Sequence, residues 1–248
     1  MSEYQQLHHV SDEIGPIYVL DDGDFRVLSF GDNDEQSKIL KSAPHIPQHT
    51  YIQAMLAVLL FNKPKSAIIL GLGGGGLVHA LRRYDAAIKL TTVELRADVI
   101  DVAKRFFQLP VGKKLNVMHQ DGSEFLINGN HKKVDIIFAD MYIEQGVDEK
   151  QLTSEFIGHC HKSLKAEGFL VLNCWKEHSK SELLKQVLSA QFANVYATLT
   201  GGGNWVIYAS KQPNSFSAAY NKQQLQQLSQ QLDYPVGRSL TRFTQWEE

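Results

Sequence analysis

The sequence predicts an α/β fold: a doubly wound, mostly parallel sheet with helices on both faces. From residue 66 onward, β-branched apolar runs alternate with amphipathic segments of helical period, which is the order typical of such sheets. The last two runs, "NVYATLT" and "NWVIYAS", are separated only by "GGG", which predicts a C-terminal antiparallel strand pair. A length of 248 residues with 43% hydrophobic residues fits one large domain with a smaller appendage.

The first part of the chain predicts a small β-hairpin region. The β-rich runs "IYVL" and "FRVLSF" flank "DDGD", whose Asp-Gly pair favours a tight turn. The next segment, "NDEQSKILKSAPHIPQ", contains two prolines and is expected to have little regular structure. We therefore assign residues 1–48 to the hairpin region and residues 49–248 to a nucleoside-binding catalytic domain.

The elements of the larger domain follow in order. A helix is expected from Thr50 to just before Pro64, because apolar residues recur there at helical spacing. The predicted strands after it are "SAIILG", "IKLTTVEL", "LNVMHQD", "VDIIFAD" and "GFLVLNCW", followed by the final pair. The predicted helices are "LVHALRRY", "RADVIDVAKRFFQL", "TSEFIGHCHKSL" and "SELLKQVLSAQF". In the Gln-rich tail, Leu225, Leu228 and Leu232 are expected to dock a helix, and the closing residues to be irregular.

Composition excludes several classes of protein. A net charge of −2 provides no basic surface for nucleic acid, and no run approaches the roughly 18 apolar residues of a membrane span. The N-terminus lacks the pattern of a signal peptide, so we expect a cytoplasmic protein. Cys160 and Cys174 fit neither a disulfide framework nor a zinc spacing, and no metal site is predicted.

A glycine run follows the first strand of the larger domain. In "AIILGLGGGGLVHAL", Gly71, Gly73 and Gly76 match the G-x-G-x-x-G spacing. Glycine at this turn lets the backbone approach a ligand and leaves the helix N-terminus open to it. A loop of this kind is compatible with several nucleotides, or with a tight turn and no ligand.

Three later strands each end in an acid at the same predicted edge of the sheet. Glu94 lies about 20 residues beyond the loop, from where a carboxylate accepts hydrogen bonds from ribose hydroxyls. Asp121 and Asp140 end the next two strands. Extra carboxylates would repel a pyrophosphate, whereas S-adenosylmethionine carries a sulfonium cation and no phosphate. The acids therefore predict the Rossmann-like class I S-adenosylmethionine-dependent methyltransferase fold, with Asp121 near the adenine and Asp140 near the reacting end.

The same segments, with "EQSKIL" and "YIQAML" upstream, resemble the spermidine synthase (polyamine aminopropyltransferase) family of polyamine biosynthesis over roughly residues 15–211. The resemblance implies a transferase that uses S-adenosylmethionine or its decarboxylated form as donor, a small amine acceptor, and a homodimer. It also implies these donor-binding residues: Gln36, Gln53, Gly71, Gly73, Glu94, Asp121 and Gly122. Asp140 is expected to orient the attacking amine and take up its proton. Tyr142 either offers a hydroxyl or aromatic face to a cationic acceptor or packs on the core.

The sequence departs from the family pattern at the groups expected to hold the amines. Gly74 stands where the family loop has an aspartate beside the free amine of the donor. Ile143 stands at the second acid of the family's Asp-x-x-Asp motif, with Glu144 as a possible substitute, and Ala54 replaces a glutamate. "TLTGGG" replaces a tyrosine-containing segment of the family. The transferred group is therefore expected to be aminopropyl or methyl, with authentic spermidine synthesis in doubt. The alternatives are an S-adenosylmethionine-dependent methyltransferase and a non-catalytic nucleoside-binding protein.

Overall fold

The structure is a computed structural model that describes residues 4–31, 35–143, 146–213 and 222–246. Its strands are β1 (Gln5–Ser11), β2 (Pro16–Asp21), β3 (Phe25–Ser29), β4 (Glu35–Leu40), β5 (Ser66–Leu70), β6 (Lys89–Glu94), β7 (Leu115–His119), β8 (Val134–Ala139), β9 (Tyr142–Ile143), β10 (Gly146–Val147), β11 (Leu164–Trp175), β12 (Asn194–Leu199), β13 (Asn204–Ser210) and β14 (Thr244–Gln245). Its α-helices are α1 (Thr50–Met55), α2 (Gly76–Tyr84), α3 (Ala97–Phe106), α4 (Gly122–Asn128), α5 (Ser154–Ser163), α6 (Glu182–Gln191) and α7 (Lys222–Leu232). Short 3₁₀ turns span Leu56–Leu60, Glu149–Leu152, Lys176–Lys180 and Val236–Leu240.

The large sheet confirms the predicted doubly wound fold. Within the described residues it has eight strands in the order β14-β12-β13-β11-β8-β5-β6-β7. From β11 to β7 neighbouring strands are parallel, and β13, β12 and β14 add antiparallel pairs at the other edge. The direction of winding reverses between β5 and β8. The carboxyl ends of β5, β6 and β8 therefore lie side by side, where ligands bind in sheets of this type.

Strand β5 shows why its apolar run is uninterrupted. Ala67 and Ile69 pack into a core with side chains of α1, α2 and α7, whereas Ile68 and Leu70 pack into a second core with α4, α5 and α6. Because both faces of the strand are covered, every position from Ala67 to Leu70 is apolar. The expected helix in the tail also forms, since Leu228 and Leu232 of α7 are buried and Leu225 packs against the first core.

The N-terminal region is larger than the predicted hairpin. The pair β2–β3 is present, but β1 and β4 extend it to a four-stranded antiparallel sheet. The expectation that residues after the hairpin lack regular structure was wrong for Glu35–Leu40, because the two prolines come only after β4 ends. Strand β1 is mostly exposed and polar, so it had no apolar alternation to reveal it. The sheet packs on α3 through residues such as Ile17, Val19 and Val99. The domain boundary at residue 48 stays a prediction.

The other differences between the elements expected from the sequence and those of the structure are local. Helix α4 was not predicted; it begins after Asp121, whose side chain accepts hydrogen bonds from the backbone N–H groups of Ser123 and Glu124. The helix from Thr50 keeps α geometry only to Met55 and continues as a 3₁₀ turn. The closing residues were expected to be irregular, but Thr244–Gln245 forms β14, which pairs with β12. No helix in the described ranges is both long enough and apolar enough to cross a lipid bilayer.

Candidate active site

A cavity of about 390 Å³ lies at the carboxyl ends of β5, β6 and β8, and the N-terminal sheet forms part of its wall. That volume is within the range of small-molecule sites. The predicted site residues that line it are Gln36, Gly71, Gly73, Glu94, Asp121, Gly122, Asp140 and Tyr142. Gln53 is not brought there: its amide nitrogen donates a hydrogen bond of 2.7 Å to the carbonyl of Pro47.

Gly71 lets the glycine loop pass directly beside Asp140. Its φ is +92°, and a Cβ atom at this position would overlap the backbone carbonyl of Asp140. Only glycine combines this left-handed conformation with so close an approach. The ends of β5 and β8 are therefore held in contact, with the backbone N–H of Asp140 donating to the carbonyl of Leu70 at 2.9 Å.

Gly74 is packed against two other parts of the chain. Its backbone N–H donates to the hydroxyl of Ser37 on β4 at 2.9 Å. A Cβ atom at Gly74 would lie 2.8 Å from the ring of Phe107 and 3.0 Å from Cβ of Ser37. Phe107 is fully buried, so neither neighbour leaves room for a larger side chain. The structure thus has no space for an acidic side chain at this loop position.

Glu94 holds the loop from the end of β6. One carboxylate oxygen accepts the backbone N–H of Leu72 at 2.9 Å and the other accepts that of Arg96 at 3.0 Å, and the N–H of Gly73 adds a third hydrogen bond. Burial raises the pKa of this carboxyl above its usual value, although the backbone hydrogen bonds oppose the shift. Glu94 is therefore both part of the cavity wall and a structural anchor of the loop.

Arg96 is a cavity residue that the sequence did not reveal. Its guanidinium donates to Asp12 at 2.8 and 2.9 Å and to the carbonyl of Gly15 at 2.6 Å, and it lies 4.5 Å from the ring of Phe30. These contacts join the N-terminal sheet to the end of β6 beside Glu94. A single arginine after a strand carries no sequence signal for such a contact 84 residues away.

Asp121 has two structural partners in addition to its place in the cavity wall. It caps α4, and its second oxygen accepts a hydrogen bond of 3.0 Å from the ammonium of Lys150. Burial alone would raise the pKa of Asp121, but the hydrogen bonds from Glu124, Lys150 and Ser123 lower it overall. The carboxylate is therefore ionised at neutral pH.

Asp140 is recessed in the cavity at the end of β8. Asn173 on β11 donates to its carboxylate at 2.8 Å, and the hydroxyl of Tyr51 on α1 also hydrogen-bonds to it. Burial raises the pKa of Asp140 to about 6, against the effect of these two donors and with a small addition from Glu94. A carboxyl with this pKa exchanges a proton close to neutral pH, which suits acid–base work.

A chain of polar side chains continues from Asp140. The amide nitrogen of Asn204 lies 3.1 Å from the amide oxygen of Asn173 and 3.4 Å from the hydroxyl of Tyr142. Burial raises the pKa of Tyr142, so its hydroxyl stays neutral. The ring centroids of Tyr142 and Trp175 are 6.3 Å apart. Asn173 was detectable in principle, as a polar residue inside the apolar run "LVLNCW".

Two further expectations concern acids and metals. Glu144, the possible substitute for the second acid, lies outside the described residues. In the part of the chain that is described, no three His, Cys, Asp or Glu side chains are grouped as metal ligands would be. That no metal is needed stays a prediction.

Comparison with known proteins adds sequence and structural relatives. The profile of the spermine/spermidine synthase domain matches residues 46–223. A polyamine aminopropyltransferase from Neisseria meningitidis serogroup A is 26% identical over 175 residues, covering 69% of this chain and 66% of that relative's length.

Solved structures agree on the fold. A spermidine synthase in complex with the transition-state analogue AdoDATO has a TM-score of 0.76 at 17% identity, covering 97% of this chain and 85% of the other. Human methyltransferase-like protein 13 in complex with SAH has a TM-score of 0.60 at 19% identity, covering 75% of this chain and 89% of the other. Both likenesses show the α/β fold predicted from the sequence. Because the profile match spans most of the chain, the protein belongs to the spermine/spermidine synthase family.

Proposed function

We propose that this protein transfers an aminopropyl group from decarboxylated S-adenosylmethionine to a small amine. The observation that carries the proposal is Asp140, a recessed carboxyl with a pKa of about 6 that touches the glycine loop through Gly71. Family membership and relatives named as polyamine aminopropyltransferases support the same reaction. The protein would thus be a transferase with an alkyl-sulfonium donor.

The donor nucleoside fits the half of the cavity that contains the glycine loop. Glu94 and Asp121 present carboxylate oxygens to the cavity, suited to ribose hydroxyls and to the adenine amino group respectively. Gly71 and Gly73 allow the donor tail to pass close to the backbone. A row of acids favours a sulfonium cation over a pyrophosphate, because like charges repel.

The reaction is a displacement at the carbon bonded to the sulfonium. The acceptor ammonium first gives a proton to the Asp140 carboxylate, which frees the nitrogen lone pair. The nitrogen then forms a bond to that carbon while the carbon–sulfur bond breaks. The electron pair of the broken bond stays on sulfur, which leaves as the neutral thioether of methylthioadenosine. Asp140 supplies positioning and proton acceptance, and the cavity supplies proximity.

Methyl transfer from S-adenosylmethionine is the second candidate. Gly74 favours it, because the loop holds no acid to pair with the free amine of an aminopropyl donor. The likeness to a methyltransferase fold is compatible with either reaction. A non-catalytic nucleoside-binding protein is the third reading, and Asp140 with its raised pKa argues against it.

Calorimetry and turnover separate the three readings. We would measure the Kd of S-adenosylmethionine, decarboxylated S-adenosylmethionine and methylthioadenosine, and then the release of methylthioadenosine with putrescine as acceptor. Tighter binding of the decarboxylated donor together with putrescine-dependent release supports the proposal. Tighter binding of S-adenosylmethionine with methyl transfer favours the second candidate, and nucleoside binding without any turnover favours the third. Assembly as a homodimer is a further expectation, testable by analytical ultracentrifugation.

A further inference from the structure

Strand β4 lends three consecutive residues to the cavity wall: Glu35, Gln36 and Ser37. In a regular strand neighbouring side chains point to opposite faces. Here the pairing of β3 with β4 shifts register, since Leu28 pairs with Ser37 and Ser29 with Glu35. Gln36 is thus the extra residue of a bulge, a feature that redirects side chains and is common beside active sites.

His49 stands next to Glu35 on the same wall. Its Nε2 atom is 3.8 Å from a carboxylate oxygen of Glu35, is buried, and has no hydrogen-bond partner. The imidazole stacks on the ring of Tyr51 at 5.5 Å, and Tyr51 in turn hydrogen-bonds to Asp140. Burial lowers the pKa of His49, so the ring is neutral at pH 7 and a nitrogen is able to accept a hydrogen bond. The Glu35–His49 pair therefore lies close to the reacting end of the cavity.

Glu35 is the acid that the described part of the N-terminal sheet contributes to this wall. The ammonium of Lys38 and the hydroxyl of Tyr4 donate to its other oxygen, at 3.4 and 3.5 Å respectively. Its side chain is 36% exposed, so it pairs with a ligand without a large desolvation cost. Ser37, two residues along, contacts Gly74, the loop position that has no room for an acid.

We propose that Glu35 and His49 form the subsite for the terminal ammonium of the donor, and that Glu35 selects a decarboxylated donor over S-adenosylmethionine. This assignment rests on the proposed function. An ammonium donates to the Glu35 carboxylate and to the neutral imidazole in charge-assisted hydrogen bonds. The carboxylate of S-adenosylmethionine is repelled at the same place, so one residue both attracts the right donor and rejects the wrong one. The N-terminal sheet thus supplies the acid that the loop cannot carry.

The test is calorimetry on the intact protein and its Glu35→Gln variant with three ligands. Methylthioadenosine has neither amine nor carboxylate at this end and reports on the nucleoside site alone. We expect the Kd of decarboxylated S-adenosylmethionine to weaken about tenfold, because the lost hydrogen bond is charge-assisted but partly exposed. The Kd of methylthioadenosine stays within about twofold, and that of S-adenosylmethionine stays equal or tightens, because a repulsion is removed.

Glu155→Gln is the matched control, since Glu155 is a well-exposed residue of α5 whose carboxylate lies 4.0 Å from His159. It should change none of the three constants. Equal affinity of the decarboxylated donor for wild type and Glu35→Gln would overturn the assignment. So would an equal loss for methylthioadenosine, which would mean that Glu35 only supports the fold. If wild type binds none of the three nucleosides, the proposed function fails, and this assignment fails with it.

Discussion

The two halves of the cavity are built in different ways. In the loop half, Glu94 and Asp121 accept hydrogen bonds from backbone N–H groups of the glycine loop and of α4. In the Asp140 half, side chains bond to side chains: Asp140 to Asn173, and Asn173 to Asn204. The first arrangement stabilises the backbone of the loop and of α4. The second connects only side chains at the ends of β8, β11 and β13, strands that are already paired through their backbones.

This difference predicts which substitutions unfold the protein and which alter only its chemistry. Removing an acceptor of buried backbone N–H groups leaves them unpaired, which costs stability. Replacing one of the hydrogen-bonded side chains of Asp140, Asn173 and Asn204 changes the charge or the orientation of the groups around Asp140. The backbone hydrogen bonds between the strands remain. We therefore expect substitutions in the loop half to lower stability, and substitutions in the Asp140 half to lower turnover.

The largest expected effect is that of Asp140→Asn on turnover. The amide keeps the shape and the contact with Asn173 but does not accept a proton, so kcat should fall by about 10²–10⁴-fold. The Kd of methylthioadenosine should stay within about threefold, because that ligand does not need the proton acceptor. Unchanged turnover would remove Asp140 from the mechanism. Asp101→Asn, at an exposed ion pair with Arg105 on α3, is the control and should be neutral.

The same variant has a second consequence, for stability. The pKa of Asp140 is raised from 3.8 to about 6 on folding, so wild type loses stability as the pH rises from 3.8 to about 6, and the loss is complete above that range. The free energy of unfolding of Asp140→Asn, relative to that of wild type, should therefore be about 1–3 kcal/mol higher at pH 8 than at pH 4. Urea unfolding at the two pH values measures this. A difference that does not depend on pH would mean that the carboxyl is not strained by burial.

Glu94→Gln tests the loop half. The glutamine retains one oxygen, but its NH₂ group faces the backbone N–H that the other oxygen had accepted. We expect a loss of about 1–3 kcal/mol in the free energy of unfolding, together with weaker binding of every nucleoside. Glu182→Gln, at a well-exposed residue of α6, is the control. Full stability with only donor binding lost would show that Glu94 is a ligand-binding group and not an anchor.

A smaller effect is expected on the pH profile of kcat/KM. Asn173 donates to Asp140 and so lowers its pKa; removing that donor in Asn173→Ala should raise the pKa. Since the ionised form accepts the proton, the acidic limb should move from near pH 6 to higher pH by about one unit. Asn204→Ala removes the next link without touching Asp140 and should leave the limb in place. If the acidic limb of the kcat/KM profile moved equally in both variants, its assignment to Asp140 would be contradicted.

The same contrast explains what the sequence revealed. The positions of Glu94, Asp121 and Asp140 at the cavity were predictable because each lies at or just after the end of a recognisable strand, and parallel strands bring their carboxyl ends together. Asn173 and Asn204 were not predicted, because their partners are set by the order of strands in the sheet. The order of strands in a sheet is not predictable from one sequence without a motif that fixes it.

The N-terminal sheet is the other part of the structure that the sequence did not predict in full. Strand β4 follows a hairpin and precedes two prolines, and its bulge breaks the alternation by which strands are recognised. Its residues enter the cavity through long-range contacts such as that of Ser37 with Gly74, 37 residues apart. Gln53 is the reverse case: the family resemblance implied that it binds the donor, but in the structure its amide donates a hydrogen bond to the carbonyl of Pro47.

The smallest expected effect is that of Lys150→Met, and it concerns a contact between the two halves. Lys150 follows the β9–β10 segment next to Asp140, and its well-exposed ammonium bonds to Asp121 at 3.0 Å in the loop half. An exposed pair of this kind adds little to stability. If Asp121 binds the adenine amino group, Lys150 competes for the same carboxylate, so its removal should tighten methylthioadenosine by about two- to fivefold. The gain should shrink in high salt, which already screens the ion pair. Weaker binding in Lys150→Met would mean instead that the lysine holds Asp121 in its binding position, so that the loop half also depends on a side-chain contact.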